Sequence, residues 1–150
     1  MKRTIATPTG PVTVTATADR ITALTWGVGT ATDDTPLLRD AEAQISAYFD
    51  GRLTRFTLPL QLPAPPLLRA VCEQMLAIAF GETKTYGELA KALNKPAQAI
   101  GQACGQNPIP LLIPCHRILS STGLGGFSGG TGIETKIELL KREGAASLLI

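Results

Sequence analysis

Polarity alternates from residue to residue through positions 1–26, where threonine, valine and isoleucine dominate. A period of two marks a half-buried strand, so residues 4–7, 12–16 and 21–26 are predicted as strands. Gly10-Pro11 supplies the first turn and Ala18-Asp19-Arg20 the second. At Pro36 the period lengthens. Leu38, Ala41, Ile45, Tyr48 and Phe49 then share one face of a helix, which Asp50-Gly51 ends. Residues 56–62 read as one more short strand.

Pro63-Ala64-Pro65-Pro66 can continue neither element and reads as a linker. Beyond it Leu68, Val71, Cys72, Met75 and Ala79 recur at helical spacing, which puts Cys72 in the core. Thr85-Tyr86-Gly87-Glu88 matches a capping box, the threonine and glutamate each satisfying a free backbone donor. Leu89, Ala90 and Leu93 supply that helix's apolar face. Asn94-Lys95 breaks it, and Pro96 can open a second helix running through Ile100 and Cys104 to about Gly105. Two short helices on a tight turn are either a DNA-reading helix-turn-helix or plain structure. The predicted architecture is α/β, of the α+β kind. An N-terminal domain over residues 1–62 carries a small antiparallel sheet and a helix. A linker follows at 63–66, then a mostly helical domain over 67–150.

A chain of 150 residues, 44% hydrophobic and 17% charged, suits a folded globular protein rather than a disordered one. Residues 1–8 lack the apolar core of a secretory signal, and no apolar run approaches bilayer-spanning length. A soluble, cytoplasmic monomer with no membrane attachment is expected. Cys72, Cys104 and Cys115 form an odd set without a CxxC pair, and His116 is the sole histidine. They make a poor zinc site, which wants four ligands, and a disulfide scaffold is unexpected in a chain with a sizeable core. No metal or cofactor is implied, so each thiol is core filler or nucleophile.

The net charge of +2 argues little, but its distribution says more. Six basic and six acidic side chains cancel over residues 1–63. Between positions 89 and 133 there is no Asp or Glu, while Lys91, Lys95 and Arg117 remain. Such a stretch is either a surface that approaches phosphates or a neutral segment that is largely buried.

The run 107–117, Asn-Pro-Ile-Pro-Leu-Leu-Ile-Pro-Cys-His-Arg, carries the candidate chemistry. An apolar run ends at Pro114 and delivers Cys115, His116 and Arg117 in succession. The thiolate is the reactive form of cysteine, and basic neighbours favour it. For an arbitrary Cys-His pair, a buried thiol beside a surface histidine is the ordinary explanation. Here Pro114 in front and the glycine-rich stretch 123–130 behind frame the thiol with a close-approach loop of the kind that lines a substrate pocket.

Pro-Cys-His-Arg, preceded by Asn-Pro and an apolar strand and followed by Ser-Gly-Gly, resembles the active-site signature of the O6-alkylguanine-DNA alkyltransferases. The resemblance is strong over about residues 65–144 and general in style before them. It implies DNA repair by transfer of an alkyl group, such as methyl, from O6 of guanine in double-stranded DNA to the protein's own cysteine, once per molecule. Cys115 matches the alkyl acceptor. His116 matches the residue that takes the thiol proton through a water, and Glu143 the carboxylate that orients it, the logic of a triad. Asn107 matches a residue whose amide ties the flanking backbone segments together. Tyr86 matches a tyrosine that donates to guanine N3 as charge develops on the leaving base. The resemblance also implies that Phe127 and Ser128 line the base pocket and that Arg117 ties the active-site turn to neighbouring elements. Because the target atom is shielded in the duplex, base flipping is implied as well.

Two departures from the family pattern bear on DNA engagement. Gln98 stands where the family's second helix normally carries an arginine that fills the place of the flipped base, and the turn between the two helices is about two residues shorter than in many relatives. Weaker duplex binding is therefore expected, with Lys95 a candidate DNA contact. Three other readings compete. Alkyltransferase-like relatives bind lesions without accepting the alkyl group, but they replace the cysteine that this chain keeps. A helix-turn-helix regulator with Cys115 as a sensor thiol does not account for Pro-Cys-His-Arg. A cysteine protease would need oxyanion-hole residues that are not identifiable.

Overall fold

The computed structural model describes residues 1–27, 29–125, 129–130 and 132–145. The chain divides into two compact units, Met1–Gln61 and Leu62–Ile150.

In the first unit β1 (Lys2–Ile5), β2 (Val12–Thr17) and β3 (Arg20–Trp26) form an antiparallel sheet in that order. β1 lies two residues earlier than its alternation predicts, because the turn consumes Thr7. Gly10 N donates to Thr7 O at 3.0 Å and Thr7 Oγ1 donates to Gly10 O at 2.6 Å. A register shift at Thr15/Ala16 leaves Thr22 without a partner in the ladder. That extra residue resets the alternation, so Ile21 and Leu24, three apart, are both buried along with Val12, Val14 and Ala16. α1 (Pro36–Phe49) follows the predicted pattern, with Leu38, Ala41, Ile45, Tyr48 and Phe49 buried and Thr35 Oγ1 capping Leu38 N at 3.2 Å. Residues 56–62 do not form the expected strand. Pro59 has no N–H to give a ladder, and pairing shrinks to one parallel bridge between Ile21 and Leu60.

The second unit is mostly helical: α2 (Pro66–Leu76), β4 (Lys84–Thr85), α3 (Tyr86–Leu93), α4 (Ala97–Gly105), β5 (Ile118–Leu119) and α5 (Ile133–Arg142). Pro66, expected as the last linker residue, is the first residue of α2, where its missing N–H costs nothing. α2 stops at Leu76 with Ala77 as its cap. The next buried residue is Ile78, and Ala79 is exposed rather than on the helix face predicted for it. Thr85 and Glu88 form the capping box of α3, and Asn94, left-handed at φ 54, closes that helix. Of the predicted apolar face of α3, Leu89 is buried while Ala90 and Leu93 are half-buried. Only residues 94–96 separate α3 from α4, and the two helices pack together. β4 and β5 pair in parallel, Lys84 with Ile118 and Thr85 with Leu119. Among the described residues no helix is long and apolar enough to cross a membrane.

Candidate active site

The apolar run in front of Cys115 is a tight loop, not the predicted strand. Pro108, Pro110 and Pro114 remove three amide donors from it. Leu111 takes a left-handed φ of 74. The side chain of Asn107 replaces the missing ladder: Nδ2 donates to Ile113 O at 2.9 Å, and Oδ1 accepts from Ile109 N at 3.0 Å. Ile113 N closes the loop on Ile109 O at 2.8 Å. Pro114, at φ −79 and ψ 68, sits at the centre of an inverse γ-turn in which Cys115 N donates to Ile113 O at 2.8 Å. The chain leaves that turn as a single 3-10 turn, Cys115–Arg117, and passes into β5.

Cys115 is partly accessible, while His116 beside it is completely buried. His116 Nε2 lies 2.7 Å from Glu143 Oε2. Glu143 is the C-cap of α5, 27 residues along the chain, so the helix end delivers the carboxylate to the turn. The same carboxylate accepts from Arg117 Nε at 2.8 Å and Nη2 at 3.2 Å, and Arg117 Nη1 donates to Ile78 O at 2.6 Å. Arg117 is therefore an internal tie with its charge neutralised, not a residue that faces phosphate. Its place in the acid-free stretch was misleading, because its partner comes from beyond that stretch.

This geometry sets protonation. Glu143 needs a donor, which puts the His116 proton on Nε2 and leaves Nδ1 as the acceptor of a neutral ring. His116 Nδ1 is buried with no hydrogen-bond partner among the described residues. Burial lowers the His116 pKa, against the raising effect of Glu143. Burial likewise pushes the Cys115 thiol up, opposed by a hydrogen bond from Asn107 and by the charge of Lys136. The resting pair is a thiol and a neutral imidazole able to take a proton. The other thiols are held protonated by burial, Cys72 pushed up to about 11 and Cys104 to about 12. Lys136, fully buried on α5, had no signal in the sequence, because a lysine in an amphipathic helix ordinarily faces water.

The parallel ladder of β4 and β5 docks the start of α3 onto the segment that follows the active-site turn. Tyr86 is thereby set against Gly125: a Cβ there would stand 3.0 Å from Tyr86 Cε2 and 3.2 Å from its hydroxyl. Gln98, in the first turn of α4, and Lys95 are exposed. Thus Cys115, His116, Arg117, Asn107 and Glu143 come together, Tyr86 flanks the loop after β5, and Gln98 and Lys95 lie on the helix pair. Phe127 and Ser128 lie outside the described residues. Among the described residues no group of three or more His, Cys, Asp or Glu side chains is placed to hold a metal ion.

Fold and site together define a helical unit carrying a paired-helix motif and a cysteine beside a carboxylate-oriented histidine. Residues 66–145 match the family profile described as 6-O-methylguanine DNA methyltransferase, DNA binding domain. Residues 1–62 match that of the same family's ribonuclease-like domain. The methylated-DNA–protein-cysteine methyltransferase of Mycobacterium tuberculosis is 37% identical over 151 residues, covering 94% of this chain and 90% of the relative. That of Sulfolobus acidocaldarius is 39% identical over 111 residues, covering 74% and 70%. A crystal structure of Mycobacterium tuberculosis OGT in complex with DNA superposes with a TM-score of 0.86 at 38% identity, covering 95% of this chain and 92% of that one. An O6-methylguanine DNA methyltransferase from Methanococcus jannaschii gives 0.70 at 27% identity, covering 99% and 96%. The chain belongs to the 6-O-methylguanine DNA methyltransferase family.

Proposed function

We propose that this chain repairs DNA by moving an alkyl group from O6 of guanine to Cys115 Sγ, and that each molecule acts once. The observation that carries the reading is the His116–Glu143 pair at 2.7 Å, buried directly beside the thiol, with His116 Nδ1 left as a proton acceptor. The thiol proton passes to Nδ1 through one water, and Glu143 stabilises the imidazolium that forms. Sγ then attacks the alkyl carbon in line. The S–C bond forms as the C–O bond breaks, and the electron pair stays with guanine. Tyr86 donates a proton toward guanine N3, so that the base leaves neutral. The product is a thioether, and nothing among the described residues offers a way to cleave it.

Asn107 serves this chemistry by fixing the loop that aims the thiol, through its bonds to Ile113 O and Ile109 N. The catalytic domain is residues 67–150, with α3 and α4 as the DNA-binding helix-turn-helix and residues 1–62 as a separate N-terminal domain. The target nucleotide is flipped out of the duplex, and Phe127 and Ser128 line the pocket that receives it. Lys95 contacts the DNA, while Gln98 is a weak substitute for an arginine wedge. The protein works as a cytoplasmic monomer without metal or cofactor.

Duplex DNA carrying radiolabelled O6-methylguanine tests the reading. Label should move to protein with a stoichiometry of no more than one per chain, and Cys115→Ser should accept none. Lesion binding with the label left on the DNA would make the chain a damage-recognition protein instead.

A further inference from the structure

The glycine-rich stretch after β5 is pinned at Gly125 and Gly130, both in the left-handed region at φ 72 and 54. Each glycine faces a side chain from a different helix. At Gly125 a Cβ would meet Tyr86 of α3, and Ser120 N at 3.4 Å. At Gly130 it would stand 2.3 Å from Thr135 Oγ1, 3.1 Å from Thr135 Cβ and 3.2 Å from Cγ2. The Thr135 side chain therefore fills the place that a side chain at position 130 would need. Thr135 is buried in the first turn of α5, the helix that ends in Glu143. Gly132 N donates to Gly129 O at 2.9 Å and Lys136 N to Gly132 O at 3.2 Å, which joins the pinned end to the start of that helix.

We infer that Thr135 is a positioning residue for the base pocket, holding the Gly130 end of the loop against α5 as Tyr86 holds the Gly125 end against α3. This rests on the proposed function, in which Phe127 and Ser128, between the two glycines in sequence, receive the flipped base. The two anchoring helices also carry the catalytic groups: α3 begins with the proton donor Tyr86, and α5 delivers Glu143 to His116. A loop registered to both holds the base at a fixed distance from donor and thiol, and a misplacement of about 1 Å is enough to slow such a reaction. Threonine suits the task because branching at Cβ restricts its rotamers and makes a stiff wall. Three of its atoms bear on Gly130, of which alanine would keep only Cβ.

The parent, Thr135→Ala and Thr135→Val are compared as full chains. The concentration of free O6-methylguanine that gives half the maximal rate of Cys115 methylation should rise roughly fivefold in the alanine variant. Valine, with the same branched shape, should recover most of that loss. Alkylation of Cys115 by iodoacetamide needs no base pocket and should change less than about twofold in either variant. Equal losses in both reactions overturn the inference, as does a folded alanine variant with the parent half-saturation. Should alanine prevent folding, Thr135→Ser replaces it, giving up Cγ2 alone. A rise of about twofold is then expected, and an unchanged value overturns the inference. Hydrogen exchange keeps the result apart from the proposed function. The peptide that contains Gly130 should exchange faster in the alanine variant, and exchange at the parent rate overturns the inference. A parent that takes no methyl group from the base refutes the proposed function, and exchange alone then decides whether Thr135 holds the loop.

Discussion

His116 Nε2 and Glu143 Oε2 stand 2.7 Å apart although 27 residues separate them in sequence. Neither side chain is exposed to bulk solvent, and the carboxylate is fixed on its far side by Arg117. The ring therefore has one tautomer and one orientation, with Nδ1 as its acceptor. This arrangement makes the two residues one hydrogen-bonded unit.

Removing either member should slow alkyl transfer by roughly the 10²–10⁴ that general-base help supplies. His116→Asn combined with Glu143→Gln should be little slower than the worse single variant, because both changes disable the same proton path. Single-turnover rates on O6-methylguanine DNA measure this. Multiplicative losses would mean that the residues act independently.

Acid should weaken the fold through the same histidine. Its pKa is lowered in the folded chain from an ordinary 6.5, so the unfolded chain binds the proton more readily between those two values. The stability held above pH 6.5 is lost as pH falls through that window. Urea midpoints at pH 7 and pH 5 should show the drop. As His116 is the only histidine, a His116→Gln variant should flatten it. An unchanged slope in the variant assigns the acid sensitivity elsewhere.

Much of this architecture was legible in local pattern. The buried face of α1 and the Thr85–Glu88 capping box depend on spacing within one or two helical turns. Failures came from prolines that strip donors from a segment and from partners distant in sequence. Pro59 turned an apolar run into a single bridge, and Asn107 with three prolines made a loop of residues 107–114. The β4–β5 ladder pairs two-residue strands that carry too little pattern to announce themselves. Charge pattern left the stretch around Arg117 open between a phosphate-facing surface and a buried segment and gave no sign of Lys136, because only the tertiary fold supplies Glu143 and the Ile118 carbonyl. Cys115, His116 and Glu143 were found through a resemblance carried by their motif, not through periodicity.

Tyr86→Phe should leave DNA binding nearly intact and slow the transfer step. Loss of a hydrogen bond that strengthens as charge develops costs about 2–4 kcal/mol of transition-state stabilisation. Binding isotherms and single-turnover rates on the same duplex separate the two effects. If affinity falls as far as rate, Tyr86 holds the structure or contacts phosphate.

Gln98→Arg should speed reaction with duplex O6-methylguanine and leave reaction with the free modified base almost unchanged. Gln98 is exposed in the first turn of α4, where a planar cation could stack in the gap left by a flipped base. Glutamine offers hydrogen bonds but no charge. Flipping itself costs a few kcal/mol. The ratio of the two rates is the readout. A folded variant with no gain on duplex DNA shows that Gln98 does not limit flipping.

The central claim is that Cys115 alone accepts the alkyl group. Cys72 is buried on α2 with its thiol pushed up to about 11, and Cys104 lies within α4, pushed up to about 12; Cys115 alone stands on the turn directly beside His116. Peptide mass spectrometry after reaction with excess O6-methylguanine duplex tests this directly. The account predicts one methyl group per chain, confined to the peptide that contains Cys115. Methylation of Cys72 or Cys104 instead, or unmodified protein after the DNA has been repaired, would contradict it.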